Sequence, residues 1–473
     1  MKNQLERPKN WRSNIRNNMF QDLIENQHRF FLSGSTLPVS FRKEQLKKLQ
    51  IAIKNYAPRI EEAIYKDFKK SNFEVYMSEI MMSLQAVKNA IKNVKSWSKP
   101  QSIRSGILNF PSKDYIIPEP FGVFLIISPW NYPFLLAIDP LIAAISAGNC
   151  IVLKPSELTV HTSIVIQEMI ESIFEKDYVS VIQGDAFVTQ QLLSNRFDKI
   201  FFTGSSHVGK IVYKAAAENL TPVTLELGGK SPCVVSESTD LSIAAKRIIW
   251  GKMLNAGQTC VAPDYIIVHQ SVKEKLIDHL KNTISSFYGS DIKQNSDFPR
   301  IINRKHFDRI KAFLSNGQIV EGGDTDVDEL YISPTIIDNV SWEDAIMKEE
   351  IFGPILPILT YNLFSEVLEI INMQEKPLAL YLFSQNKKEI KTIQAHCYFG
   401  GGCINDTLSH LLNPRLPFGG VGNSGMGSYH GKFGFNEFSH FKSIVVRKTW
   451  IDIPIRYAPY DNWRLKFLKK FLG

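Results

Sequence analysis

A chain of 473 residues is longer than one hydrophobic core usually serves, so two or three domains are expected. Hydrophobic residues at 44% and charged residues at 22% exclude wholesale disorder. The net charge of +8 arises from 55 basic residues set against 47 acidic ones spread along the chain, which argues against a nucleic-acid-binding protein.

The five cysteines, Cys150, Cys233, Cys260, Cys397 and Cys403, are odd in number, widely spaced and free of CxxC pairs. Neither a disulfide framework nor a metal site is expected, and a reducing, cytoplasmic setting fits. Met1-Lys2-Asn3-Gln4-Leu5-Glu6 leads into polar sequence, and no run reaches the ~18 apolar residues that a spanning helix needs. Secretion and membrane spanning are not expected.

From about Arg42 to Trp97, Leu46, Leu49, Ile53, Tyr56, Ile60 and Ile64 recur at three- and four-residue steps, which predicts amphipathic helix. Lys99-Pro100 closes that region, and Tyr115 to Pro120 reads as an edge strand or linker because its prolines lack the N–H a sheet interior requires. Between Gly122 and Glu226 short apolar strands alternate with helical stretches: Val123 to Ile127, Ile151 to Leu153, Val179 to Ile182, Ile200 to Phe202 and Val223 to Leu225. The spacing predicts a doubly wound parallel α/β sheet with a nucleotide site at the strand C-termini. Beyond Gly229 a second α/β region is predicted, with a helix from Leu241 to Leu254 and strands near Ile266, Ile336 and Ile355 to Leu359. Gly400-Gly401-Gly402 is too short for a linker, and the tail from residue 453 onward is basic and amphipathic.

Several strand ends carry chemistry. Asn131 in Ser128 to Pro133 can aim an amide at a developing oxyanion, worth roughly 3 to 4 kcal/mol, or simply cap a turn before proline. Lys154 and Glu157 can face a ribose or form a solvated turn. Phe202-Thr203-Gly204-Ser205 with Gly209 forms a strand, a glycine turn and a helix start that can meet a pyrophosphate, although it is not GxGxxG. His207 reads as an exposed first-turn residue. Glu226, set between apolar residues ahead of Gly228-Gly229, is a general base raised by burial or a structural carboxylate. Gly257-Gln258-Thr259-Cys260 offers a thiol among small and polar neighbours; alone, such a cysteine is as readily an inert core residue.

Ser128 to Pro133, Lys154 to Glu157, Phe202 to Ser205, Leu225 to Pro232, Gly257 to Cys260, Glu349 to Pro354 and Pro417 to Gly420, in this order, closely resemble the aldehyde dehydrogenase superfamily, over about residues 40 to 450. Gly419 to Gly431 looks like its class 3, fatty-aldehyde-type branch, which forms dimers. The resemblance implies an aldehyde dehydrogenase-like α/β fold: a Rossmann-type cofactor domain (1–97 and 119–228), a catalytic domain (229–431), a bridging part that pairs subunits (98–118 and 432–452) and the tail (453–473). It implies NAD as cofactor, with NADP tolerated, and no metal. Cys260 corresponds to the nucleophile, Glu226 to the base, and Asn131 with the Cys260 N–H to the oxyanion donors. Trp130, Lys154, Glu157, Gly204, Ser205, Gly209, Glu350 and Phe352 correspond to cofactor contacts. The expected reaction is oxidation of a medium- or long-chain aldehyde to the acid. Transfer of the acyl group to coenzyme A and an idle structural or redox-sensing relative are the alternatives. The tail is expected either to touch an anionic membrane peripherally or to dock on the protein's own dimer.

Overall fold

The computed structural model describes residues 19–106, 109, 111–452 and 454–472. The predicted helical region resolves into a long helix, Val39–Phe68, and a second run from Asn72 to Trp97 interrupted by a π-helical turn at Tyr76–Ile80. Leu46, Leu49, Ile53, Ile60 and Ile64 are all buried, so the apolar stripe faces the core as its spacing requires. Both helical runs pack against Leu135–Ala147, which covers one face of the first sheet.

That sheet has six strands in the order Gly425–Met426, Val223–Glu226, Lys199–Thr203, Val123–Ile127, Cys150–Lys154, Val179–Val181. The five predicted strands are all present and parallel, and the short sixth is antiparallel. Strands covered on both faces are uniformly apolar, which is why continuous runs such as Val123–Ile127 were legible. The chain starts at the centre and reverses direction across the sheet between Val123–Ile127 and Lys199–Thr203, the switch point where such folds open a ligand crevice.

The second sheet has seven strands: Gln318–Glu321, Thr335–Asp338, Ile355–Tyr361, Tyr265–His269, Pro232–Val235, Ala379–Phe383 and Gly401–Ile404. Only the first pairs antiparallel. Gly401-Gly402 lie inside a strand, where a Cβ on Gly402 would come within 2.0 Å of the Leu380 carbonyl oxygen.

A third sheet joins Gln101–Ile103, Ser112–Pro120 and Ser439–Arg447. Here the edge-or-linker expectation needs correction. Asp114 to Ile116 are paired on both sides, and Ile117 to Pro120 on one side only, so the prolines lie on an edge, where a residue without an N–H fits.

Candidate active site

Cys260 is presented by an unusual turn. The helix Leu241–Met253 stops, and Asn255 (φ 56°, ψ 32°), Ala256 (φ 51°, ψ 37°) and Gly257 (φ 74°) follow in left-handed conformation. Ala256 there costs of order 1–3 kcal/mol, so the surroundings must enforce the shape. They do so through hydrogen bonds. Gln258, fully buried, donates to the carbonyls of Asn255 (3.1 Å) and Arg300 (3.0 Å) and accepts from the Ile302 N–H (3.0 Å). Gly257 has a second reason to be glycine, since a Cβ would lie 2.2 Å from the Gly353 carbonyl oxygen. The Cys260 loop and the Glu350–Pro354 loop therefore meet backbone to backbone.

The Asn131 loop closes on the same turn. Asn131 Nδ2 donates to the Gln258 carbonyl (3.0 Å), Asn255 Nδ2 donates to the Asn131 carbonyl (2.8 Å), and the Tyr132 hydroxyl pairs with Thr259 Oγ1 (2.7 Å). One N–H of the Asn131 amide is thus committed, and an amide has a second.

Cys260 is half-buried and Glu226 is 2% exposed; both line one cavity of about 350 Å³. Its walls are mostly apolar, including Met77, Met81, Leu136, Trp250, Leu411 and Phe418. Burial raises the Cys260 thiol, and the nearby charges of Glu350 and Glu226 raise it further, while the backbone amides of Cys260 and Val261 pull the other way. Both Glu226 oxygens lack a hydrogen-bond partner among the described residues. Burial, with a contribution from Glu437, holds this carboxyl well above the ordinary range.

On the crevice side the Trp130 ring lies 5.3 Å from Phe352 and 5.1 Å from His306. Glu350 lies against Gly228, where a Cβ would come within 2.1 Å of its Oε2, and burial pushes the Glu350 carboxyl up to about 8. Ser205 caps the helix Ser206–Ala217, accepting from the Val208 N–H at 3.4 Å; Gly209 packs on Leu227, and His207 is exposed as expected. Gly204 abuts the Phe202 ring. Lys154 is buried and donates to Glu157 Oε2 at 2.6 Å, so these two partner each other at the next strand end. The residues present fit a dinucleotide. Ser128 Oγ and Thr203 Oγ1, at the C-terminal ends of the two strands flanking the switch point, are buried polar atoms without a hydrogen-bond partner among the described residues.

Some of the site escaped the sequence reading. His430, in a left-handed conformation (φ 81°), stacks on Phe418 at 5.2 Å and places Nε2 3.5 Å from Asp139 Oδ2, a polar pair in the apolar cavity. Burial lowers the imidazole to about 4 and raises the carboxyl to about 7. His430 stands in the run Gly419 to Gly431 that carried the class 3 resemblance; Asp139, inside an apolar helix, gave only the oddity of a lone charge.

A dinucleotide-type crevice opening onto an apolar cavity through one cysteine loop is the layout of an oxidoreductase for carbonyl substrates. The chain belongs to the aldehyde dehydrogenase family, whose profile matches residues 14–444. It is 49% identical over 456 residues, 96% of this chain and 99% of the relative, to the 4,4'-diaponeurosporen-aldehyde dehydrogenase of Staphylococcus aureus. It is 44% identical to mouse aldehyde dehydrogenase family 3 member B2, over 94% of this chain and 93% of that one, in keeping with a class 3 branch. Among solved structures it is similar to the substrate-bound state of Staphylococcus aureus AldH (TM-score 0.94, 48% identity, covering 98% of this chain and 100% of that one). An indole-3-acetaldehyde dehydrogenase complexed with NAD+ superposes with TM-score 0.83 at 25% identity, over 90% of this chain and 88% of that one. The protein is an aldehyde dehydrogenase, an NAD(P)-dependent oxidoreductase that oxidises aldehydes to carboxylic acids.

Proposed function

We propose that this enzyme oxidises medium- or long-chain apolar aldehydes, with Cys260 as nucleophile and Glu226 as base. The observation that carries the reading is that the thiol and an unpartnered carboxyl share one apolar cavity. The Cys260 thiol gives up its proton to solvent, and its sulfur bonds to the aldehyde carbon. The resulting oxyanion takes hydrogen bonds from the second N–H of Asn131 and the Cys260 backbone amide. When bound, the nicotinamide supplies the hydride acceptor. Glu226 then deprotonates the water that attacks the thioester, the carbon–sulfur bond breaks, and the carboxylic acid leaves.

Trp130, Lys154, Glu157, Gly204, Ser205, Gly209, Glu350 and Phe352 line the proposed cofactor path, with no metal required. NAD is the preferred cofactor, because Glu157 can bond a 2′-OH and opposes a 2′-phosphate while occupying the Lys154 ammonium. A homodimer built on the third sheet is supported by the exposed apolar residues Ile444, Val445 and Val446. Aldehyde-dependent NADH formation across a panel graded by chain length tests the reading; efficiency that does not rise with chain length removes the substrate class. Strict dependence on coenzyme A would favour acyl transfer instead, and no turnover with any aldehyde would favour an idle relative.

A further inference from the structure

Lys70 is fully buried beside the site, with none of its side chain exposed. Its Nζ donates to Glu79 Oε1 at 2.9 Å, lies 3.9 Å from Glu74 Oε1, and sits 4.0 Å above the centre of the Tyr132 ring. The two carboxylates reach in different directions. Glu79 Oε2 accepts the backbone N–H groups of Phe134 (2.9 Å) and Leu135 (3.3 Å), just after Asn131. Glu74 Oε1 accepts the backbone N–H of Asn255 (2.8 Å), the first left-handed residue of the turn that presents Cys260. The π-helical turn Tyr76–Ile80 carries Glu79 and sends Met77 and Ser78 to the cavity wall. Ser78 Oγ donates to the Glu74 backbone carbonyl at 2.6 Å, tying that turn to the main chain that carries Glu74.

A buried ion network is a poor route to stability, because desolvation offsets the attraction and apolar replacements often do as well. What this one does is geometric: one cation joins two carboxylates, and each holds the main chain of a different active-site loop. We propose that Lys70, Glu74 and Glu79 are positioning residues that fix the Asn131 loop relative to the Cys260 loop, and so the oxyanion donor relative to the nucleophile. This rests on the assignment of Cys260 and Asn131 above. Displacements near 1 Å between such groups can cost on the order of a hundredfold in rate. Burial pushes the Glu74 carboxyl up to about 7, against the pull of Lys70 and the Asn255 amide, so a neutral amide of equal length suits the position.

The test separates reach from charge in the full-length enzyme. Glu74→Asp keeps the charge and withdraws the acceptor from Asn255; Glu74→Gln keeps the acceptor and removes the charge. With decanal and NAD, the pre-steady-state NADH burst should slow about tenfold or more in Glu74→Asp and stay within about threefold in Glu74→Gln. The loss should fall on kcat rather than KM, with NAD binding by fluorescence unchanged. Iodoacetamide labelling of Cys260, followed by mass spectrometry without aldehyde, should change in Glu74→Asp alone. Glu74→Gln slower than Glu74→Asp, or two variants indistinguishable from wild type, would overturn the clamp. Retained oxidation in Cys260→Ala would instead overturn the nucleophile assignment, leaving the labelling comparison to judge the clamp.

Discussion

The two openings on either side of Cys260 are built by different rules. The crevice side is assembled from strand ends: residues 128–133, 154–157, 203–209 and 226–229 each follow directly on a strand of one parallel sheet. Its functional groups are local in sequence and repeat at the spacing of strand and crossover helix. The cavity side draws Met77 and Met81 from one helical run, Leu136 and Asp139 from a second, Trp250 from a third, and Leu411 and His430 from loops of the second half. The crevice follows from topology, whereas the cavity depends on where distant segments pack. Cys260 and Glu226 stand where the two meet, so perturbing them should affect turnover most, and perturbing one side should affect cofactor or substrate preference alone.

The largest effect is expected at the junction. Cys260→Ala should lower turnover by on the order of 10⁴ or more, as removal of a covalent nucleophile does, while NAD still binds in the crevice. Isothermal titration alongside NADH formation checks both halves; loss of cofactor affinity as well would mean that the two sides are not separable. Glu226→Gln should slow steady-state turnover by roughly 10²- to 10⁴-fold while leaving a fast NADH burst, because an amide cannot take the proton of the attacking water. The sign of the pH dependence follows from the direction of the shift. Glu226 works as its deprotonated form, and burial raises its pKa, so wild-type steady-state turnover should climb with pH over a range lying above that of an ordinary carboxylate. That rise should vanish in Glu226→Gln; its persistence would assign the titration to another group.

Legibility in the sequence divides along the same line. Every strand of the first parallel set was predicted because it is buried on both faces and bounded by helices of regular length. In the second sheet Gln318–Glu321, Pro232–Val235, Ala379–Phe383 and Gly401–Ile404 were not read as strands; Pro232 and Gly401-Gly402 mimic loop composition in two of them. Gln258, named as part of a motif, gave no hint that it is the buried strut of the nucleophile turn. Lys70, Glu74 and Glu79 gave no local sign either, since a helix rich in Lys and Glu normally carries them on a solvated face. Only long-range packing turns those charges inward.

A smaller effect is expected on the crevice side. Glu157→Gln frees Lys154 to meet a 2′-phosphate, and should raise NADP efficiency relative to NAD by roughly fivefold, the upper end for a partly exposed ion pair. Chain-length preference should not move, because Lys154 and Glu157 take no part in the cavity wall. A change in preferred aldehyde length in this variant would break the separation of the two sides.

The smallest effect belongs to the tail. Residues 462–472 form a helix on which Trp463, Leu465 and Phe467 are exposed, while Leu468 is half-buried. The side chains of Phe471 and Leu472, which the sequence places on the same apolar face, lie outside the described residues. Arg464 is held by the carbonyls of Tyr457 and Pro459, so the helix is tied to the turn before it. Lys466, Lys469 and Lys470 add positive charge around an apolar face, which suits either an anionic bilayer surface or a partner subunit. Among the described residues no helix is long and apolar enough to cross a membrane, so any bilayer contact made by this helix is peripheral. If the tail extends the cavity's apolar wall toward solvent, deleting residues 460–473 should weaken efficiency on long aldehydes by about fourfold, the worth of one methylene contact, and leave short ones unchanged. Measuring both with and without anionic vesicles separates the two roles. A wild-type advantage on long chains that appears only with vesicles assigns the tail to the membrane, one present without them assigns it to the substrate entrance, and equal loss at every chain length removes it from selection.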